Sequence, residues 1–309
     1  MGRKFGSIGL AINSHRIVIT AQLASETNVI GAETVELHQR VLEIIKQFYA
    51  SLGQSIPLEK QGVLVELIEL IPSHAGLGSG TQLALALGTA LSQLYQISAT
   101  TQYIAEQLGR GTRSGIGIAS FDHGGFIIDG GLGAGSSSPP LLVRYDFPQS
   151  WRVVMIMDTG NQGIHGKQEL HAFDSLTPFP LTESQTICHL VLMQLLPAIV
   201  EKNITSFGQA ITDIQSLIGD HFAPAQGGRY TSQRVASLLH YAQQQGHTGI
   251  AQSSWGPTGC IFVPNDHIAK QLITDLSHYV KQQQISDKEL LFITAKVNKE
   301  GAKIEVLAS

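Results

Sequence analysis

Ten residues, Pro72-Ser-His-Ala-Gly-Leu-Gly-Ser-Gly-Thr81, limit what this chain can fold into more than any other stretch. They follow a strand-like segment, Val63 to Leu70, in which Val63, Val65 and Leu67 alternate with Leu64, Glu66 and Ile68. They open a Leu- and Ala-rich segment that reads as a helix from Thr81 to Leu94. Gly76, Gly78 and Gly80 let the backbone turn tightly and approach a ligand without Cβ interference. The unpaired N–H groups and positive dipole end of the following helix then face whatever the loop holds. A phosphate or pyrophosphate is the natural ligand of such a nest. No Lys-Ser or Lys-Thr pair follows Gly80, so this is not a Walker loop. A tight structural turn is the competing use of the same residues.

Composition narrows the field around that loop. The net charge of −4 gives no basic footprint for nucleic acid, so any anion is held locally, by loops and a few Arg or Lys. Charged residues make up only 14% of the 309, against about 25% in an ordinary soluble domain, which favours a compact, loop-rich, enzyme-like body. Two cysteines, Cys188 and Cys260, are too few for a disulfide framework and read as buried, reduced thiols. No signal peptide is evident and no apolar run reads as long enough to span a bilayer, so a cytoplasmic protein is expected.

The periodicity divides the chain near residue 150 into two domains, 1–150 and 151–309. Before that point, strands are expected at 17–21, 63–70, 126–129 and 141–145, and helices at 33–52, 81–94 and 101–109. The Gly- and Ser-rich stretch 133–140 reads as a mobile flap or a crossing point. After it, strands are expected at 153–157, 259–263, 290–296 and 303–308. Helices are expected at 182–200, opened by a capping box of Thr182 and Gln185, and around 203–218, 231–245 and 265–284. The whole reads as an α+β protein.

Three further constellations carry possible chemistry. Arg110, Arg113, Asp122, His123 and Asp129 fall within twenty residues of one another among glycines. Arg113 suits a bidentate grip on carboxylate or phosphate, and Asp122 or Asp129 suits Mg²⁺, which takes few carboxylates and completes its shell with phosphate oxygens. Caps and surface pairs are the competing reading for each. Asp158-Thr-Gly-Asn-Gln-Gly-Ile-His165-Gly-Lys167 follows a buried strand, where loops commonly face ligands, and makes His165 a candidate to polarise a substrate group. His171 and Asp174 lie close to it in sequence, at spacings that match no familiar metal site. Ser253-Ser-Trp-Gly-Pro-Thr258 reads as a turn or as a loop closing over phosphate.

Taken together, these segments resemble the GHMP kinase superfamily, whose second motif is a Pro-x-x-x-Gly-Leu-Gly-Ser loop like Pro72 to Ser79. Within it they are most similar to the β-ribofuranosylaminobenzene 5′-phosphate synthase family. Gly76-Leu-Gly-Ser-Gly-Thr-Gln82, Ser114-Gly-Ile-Gly-Ile-Ala-Ser120, His123-Gly-Gly-Phe-Ile-Ile-Asp-Gly-Gly131, Gly163-Ile-His-Gly166 and Ser253-Ser-Trp-Gly-Pro257 carry the likeness. The resemblance implies a GHMP kinase-like fold, with an N-terminal domain like ribosomal protein S5 domain 2 and a ferredoxin-like C-terminal domain. It also implies a reaction in which phosphoribosyl pyrophosphate condenses with 4-aminobenzoate, releasing CO₂ and pyrophosphate. The product feeds tetrahydromethanopterin-type cofactors.

On that resemblance Gly76, Leu77, Gly78, Ser79, Gly80 and Thr81 cradle pyrophosphate, with Arg110, Arg113, Ser114 and Ser254 as further substrate contacts. His123, His165 and Asp122 line the reacting centre, Asp129 holds Mg²⁺, and a homodimer is the implied assembly. Many kinases of the superfamily carry Ser-Gly-x-Asp where this chain has Ser114-Gly-Ile-Gly117. Losing that carboxylate suits a synthase, because departure of CO₂ restores the aromatic ring and no base need remove a ring proton. A small-molecule kinase and a degenerate, non-catalytic member are the rival readings. The resemblance further implies an additional strand with the first superfamily motif before Gly2-Arg-Lys-Phe-Gly-Ser7, so a start upstream of Met1 is expected.

Overall fold

The computed structural model describes residues 3, 4, 6–161, 163 and 176–307. They divide into two compact units: 1–71, 78–146 and 297–309 form unit 1, and 72–77 and 147–296 form unit 2. The main division falls after Asp146, and it is not a single cut near 150. Two short segments change sides, because each hydrogen-bonds within the other unit's fold.

Unit 1 holds two three-stranded sheets. The first has β1 (Ser7–Leu10) and β6 (Leu141–Tyr145) either side of β5 (Phe126–Asp129), all antiparallel. The second places β4 (Val63–Glu69) between β2 (Val18–Leu23), antiparallel to it, and β3 (Asn28–Ile30), parallel to it. α1 (Val35–Ala50) makes the crossover from β3 to β4. Thr34 caps it by accepting from the Leu37 N–H, and Val41, Ile44, Ile45 and Phe48 form its buried stripe. That stripe packs with Val63, Val65 and Leu67 of β4 and with Leu83, Leu85, Leu87 and Leu91 of α2 (Ser79–Leu94). α3 (Thr101–Gln107), capped by Thr100, adds Ile104, and α4 (Ile116–His123) adds Ile118.

Residues 301–307 belong to unit 1 without forming a strand. Lys303-Ile-Glu-Val306 alternates like a strand, but Ile304 and Val306 are exposed and no described strand pairs with them. Residues 298–302 act as a strap instead. Asn298 N–H donates to the Ala11 carbonyl, Gly125 N–H to that of Asn298, and Ala302 N–H to that of Phe121.

Unit 2 is built on one antiparallel sheet with β7 (Arg152–Asp158), β8 (Ile250–Gln252), β9 (Thr258–Val263) and β10 (Leu290–Ala295) in the order β10-β7-β9-β8. Numbered within the unit, that order is 4-1-3-2, the ferredoxin-like arrangement. All seven residues of β7 are buried. α8 (Gln233–Gln244) and α9 (Asp266–Gln282) bury Val235, Leu238, Leu239, Leu272, Leu276 and Val280 against Val154, Ile156 and Ile261. Each is capped by side-chain oxygen, Ser232 accepting from Val235 N–H and Asn265 from Ile268 N–H.

Four expectations about unit 2 need correction. α5 (Leu181–Leu190) starts at Pro180 with no side-chain cap, and Thr182 lies inside it, so there is no capping box. It runs on through a wide turn, Val191–Leu195, into α6 (Leu196–Val200), where Pro197 cannot donate and perturbs the bonding upstream. Leu181–Val200 is, by length and composition alone, long and apolar enough to cross a membrane, a run that the sequence expectation overlooked. α7 (Ile204–Gln226) extends past the expected stop at 218. Cys188, on α5, is exposed and not buried, whereas burial pushes the Cys260 thiol up to about 12.

Candidate functional site

The Gly-rich loop has two differently built halves. The first, Pro72–Leu77, is locked into unit 2. Thr258 Oγ1 donates to the Ala75 carbonyl at 2.7 Å, and Ser253 Oγ donates to the Gly76 carbonyl at 2.9 Å. A Cβ on Gly76, whose φ is +79°, would lie 2.1 Å from the Ser253 carbonyl oxygen. Only glycine fits there, and the reason is a backbone-to-backbone contact. His74 and Ser254, with φ of 60° and 53°, hold the left-handed region that non-glycine residues rarely adopt. A cavity of about 250 Å³ beside this half is lined by Ser73, His74, Asp158, Asn161 and Thr258. The buried Asp158 there is already engaged by Ser232 Oγ at 2.6 Å and by Arg234 at 2.6 and 3.1 Å.

The second half, Gly78–Thr81, starts α2 in unit 1 and is open. Gly78 is the N-cap in a left-handed conformation, no side chain caps the helix, and its first turn has no acidic residue. Thr81 and Gln82 N–H groups return to the Gly78 carbonyl, which leaves the first-turn N–H groups of Ser79 and Gly80 without an intrahelical acceptor. Gln82 donates to the Gly117 carbonyl at 2.8 Å, fixing the start of α4 beside the start of α2. A Cβ on Gly117 would stand 2.7 Å from Thr81 Cγ2, so a kinase-type Asp at this position would press on Thr81.

The structure sorts the other candidates. Arg110 follows α3 and reaches the start of α2, its Nη1 lying 3.7 Å from where a Cβ on Gly80 would be. Burial, then the charge of Arg40, lowers its pKa. Arg113 is half-buried in the loop before α4. Ser114 donates to Asp129 Oδ2 and accepts from Ile116 N–H, which makes it the joint at the start of α4.

Asp129 is buried at the end of β5, next to a bulge in the pairing with β6. Its Oδ1 accepts from Ser7 and Gly131 N–H at 3.0 Å, and its Oδ2 from Gly115 N–H at 2.8 Å and Ser114 Oγ at 3.2 Å. Four donors use the lone pairs a cation would need. The expected Mg²⁺ role therefore does not fit Asp129. Among the described residues no three His, Cys, Asp or Glu side chains group to hold a metal.

Asp122 and His123 are exposed at the C-terminal end of α4, where Asp122 accepts from Thr101 Oγ1 at 2.5 Å. They stand more than a helical turn beyond Gly117, so α4 carries them away from the start of α2. Ser254 is exposed in its turn, and its carbonyl accepts from the Gln252 amide. His165, with Lys167, His171 and Asp174, lies outside the described residues. Arg40 is the residue that sequence reasoning missed. It sits three residues after Leu37 and four before Ile44, a charged residue on the apolar stripe of α1, and that spacing was the available signal.

An α+β chain with this loop between strand and helix, joined to a ferredoxin-like unit, is a protein of the GHMP kinase class. The family model "GHMP kinases N terminal domain" matches residues 37–125, and "GHMP kinases C terminal" matches 195–282. Solved structures agree at the level of fold. A galactokinase from Lactococcus lactis superposes with a TM-score of 0.67 at 14% identity, covering 98% of this chain and 90% of its own. A mevalonate pyrophosphate decarboxylase from Streptococcus pyogenes gives 0.65 at 16%, covering 97% and 90%.

Within the class, the chain belongs to the β-ribofuranosylphenol 5′-phosphate synthase family. It is 34% identical to the protein of that name from Archaeoglobus fulgidus over 99% of this chain and 94% of the relative. It is 32% identical to the one from Methanocaldococcus jannaschii over 98% and 94%.

Proposed function

We propose that this chain is a decarboxylating phosphoribosyl transferase, which joins the ribose of phosphoribosyl pyrophosphate to a 4-substituted benzoate through a C–C bond. The observation that carries the reading is the near full-length similarity to proteins named as synthases of a ribofuranosylphenol 5′-phosphate. The phenol in that name favours 4-hydroxybenzoate as acceptor, while the motif resemblance favours 4-aminobenzoate. Both belong in the test.

The chemistry needs little proton transfer. The ring carbon bearing the carboxylate forms a bond to ribose C1, and the C1–O bond breaks with its electron pair leaving on pyrophosphate. The ring–carboxylate bond then breaks, and its pair restores the aromatic ring as CO₂ departs. The protein's task is to stabilise charge on the departing pyrophosphate with preorganised donors. In this reading the N–H groups of Ser79 and Gly80, with Arg110 and Arg113, supply them. Asp122 and His123 have no step in it. With Asp129 saturated by the fold, Mg²⁺ would be held chiefly by the substrate's own phosphates and would screen their charge. The reading includes a cytoplasmic enzyme and a homodimer; light scattering checks the latter.

The test is release of ¹⁴CO₂ from each carboxyl-labelled benzoate with phosphoribosyl pyrophosphate and Mg²⁺. Release that needs the ribosyl donor is expected with one benzoate or both. No release with either would overturn the reading, and ATP-dependent phosphorylation of an alcohol would replace it with a kinase.

A further inference from the structure

The start of α2 gathers positive charge that no carboxylate among the described residues pairs with. Arg40 reaches it from the middle of α1 and Arg110 from the turn after α3. A Cβ on Gly80 would lie 2.3 Å from Arg40 Nη2 and 3.7 Å from Arg110 Nη1, so the two guanidinium groups come within about 6 Å of each other. Like charges held that close, and half-buried, repel one another. Five other arginines are held by carboxylates, and Arg3 by the Gly130 and Gly131 carbonyls. Arg16 pairs with Glu69, Arg144 with Asp146, Arg152 with Asp266, Arg229 with Asp220, and Arg234 with Asp158 and Glu289. Arg40 and Arg110 make no side-chain hydrogen bond or ion pair among the described residues, and Arg110 Nε is fully buried without an acceptor. Glu36 and Glu43, one helical turn either side of Arg40 on α1, do not pair with it.

Two guanidinium forks and the exposed N–H groups of one helix start therefore aim donors at one place and supply no acceptor. A doubly charged, many-oxygened anion satisfies all of them, because its oxygens each accept more than one hydrogen bond and are shared between the two forks and the helix end. Gly80 is part of the device, since any side chain there would occupy the position of the Arg40 head.

We infer that Arg40 and Arg110 form a two-armed clamp for a phosphoryl dianion seated on the first turn of α2, with Gly80 keeping the space for it. The inference rests on the phosphoribosyl reading, in which the dianion is either the pyrophosphate or the ribose 5-phosphate end of the donor. Arg40 then becomes a substrate-binding residue and sets which phosphorylated sugar is accepted.

Titration calorimetry with pyrophosphate and, separately, ribose 5-phosphate tests it on the full chain and on Arg40→Gln, Arg110→Gln, the double variant and Gly80→Ala. Each single Arg variant is expected to lose affinity for one of the two anions by about tenfold or more, and the anion affected identifies the group held. Gly80→Ala should weaken the same anion, and should add little in the Arg40→Gln background. Melting curves without ligand separate binding from folding. Removing an unpaired, repelled guanidinium should leave the melting temperature unchanged or raised, whereas a structural arginine would lower it.

Wild-type affinity for both anions in both single variants would overturn the clamp. So would ¹⁴CO₂ release with an undiminished kcat/KM for phosphoribosyl pyrophosphate in Arg40→Gln, and that result would leave the synthase reading intact. Anion binding that depends on the pair, in a protein releasing no CO₂, would keep the clamp and sink the synthase instead.

Discussion

Unit 1 contains two charged centres with opposite histories. The Asp129 carboxylate is buried and met by four donors, from Ser7, Ser114, Gly115 and Gly131. The guanidinium groups of Arg40 and Arg110 at the start of α2 are half-buried and met by no acceptor among the described residues. Asp129 and Arg110 look alike in sequence, as charged residues among glycines, while Arg40 lies on an apolar helical stripe. The difference separates a structural joint from a place for a ligand. A saturated carboxylate has given all its hydrogen-bonding capacity to the fold. An unsatisfied cation costs stability in the empty protein, a cost that fits a role in function.

Asp129→Ala breaks the comparison most severely. It strips acceptors from three backbone N–H groups and one hydroxyl, and should destabilise unit 1 by about 3–5 kcal/mol, read from urea unfolding. A metal ligand would behave in the opposite way, with stability kept and only the Mg²⁺ dependence of turnover altered. Gly76→Ala comes next. A methyl 2.1 Å from the Ser253 carbonyl, at φ of +79°, should cost about 3 kcal/mol. Thr258→Val, removing the 2.7 Å bond to the Ala75 carbonyl, should cost about 1 kcal/mol while leaving anion affinity nearly intact. Loss of anion binding in Thr258→Val without loss of stability would mean that the locked half of the loop touches ligand after all.

The smallest effect is chemical. Cys260, its thiol raised to about 12, should resist alkylation at pH 8, where Cys188 is exposed and should react. A raised thiol pKa keeps Cys260 protonated until pH approaches that value, so its reactivity should appear only in strong alkali or denaturant. One fast thiol in the native protein and two in urea would meet the expectation; two fast thiols would contradict it.

Long, strongly periodic segments were legible in the sequence. The stripe of Leu37, Val41, Ile44 and Phe48 specified α1, and five of the seven buried residues of β7 were plain in the run Val153–Met157, with Arg152 and Asp158 added by the structure. The elements that were missed are short or glycine-bearing. β1 has four residues, β3 and β8 three each, and α4 carries Gly117 in its first turn, so none builds a period. The false strand at 303–308 had the right alternation, but nothing paired with it. The anion loop was readable because its glycines, strand and helix are adjacent in sequence. Arg40 was not, because it comes to Gly80 only when α1 folds against α2.

That strap has a consequence for how the protein is made. Asn298 bonds to Ala11 and Gly125, and Ala302 bonds to Phe121, so residues translated only after the main segment of unit 2 close a unit whose first strand precedes that segment. Domains ordinarily fold in the order they emerge from the ribosome. Here the earlier unit waits, with its last backbone partners still untranslated, while almost all of the later one is produced. A stalled or truncated nascent chain would present unit 1 unfinished to chaperones and proteases, whatever state unit 2 had reached.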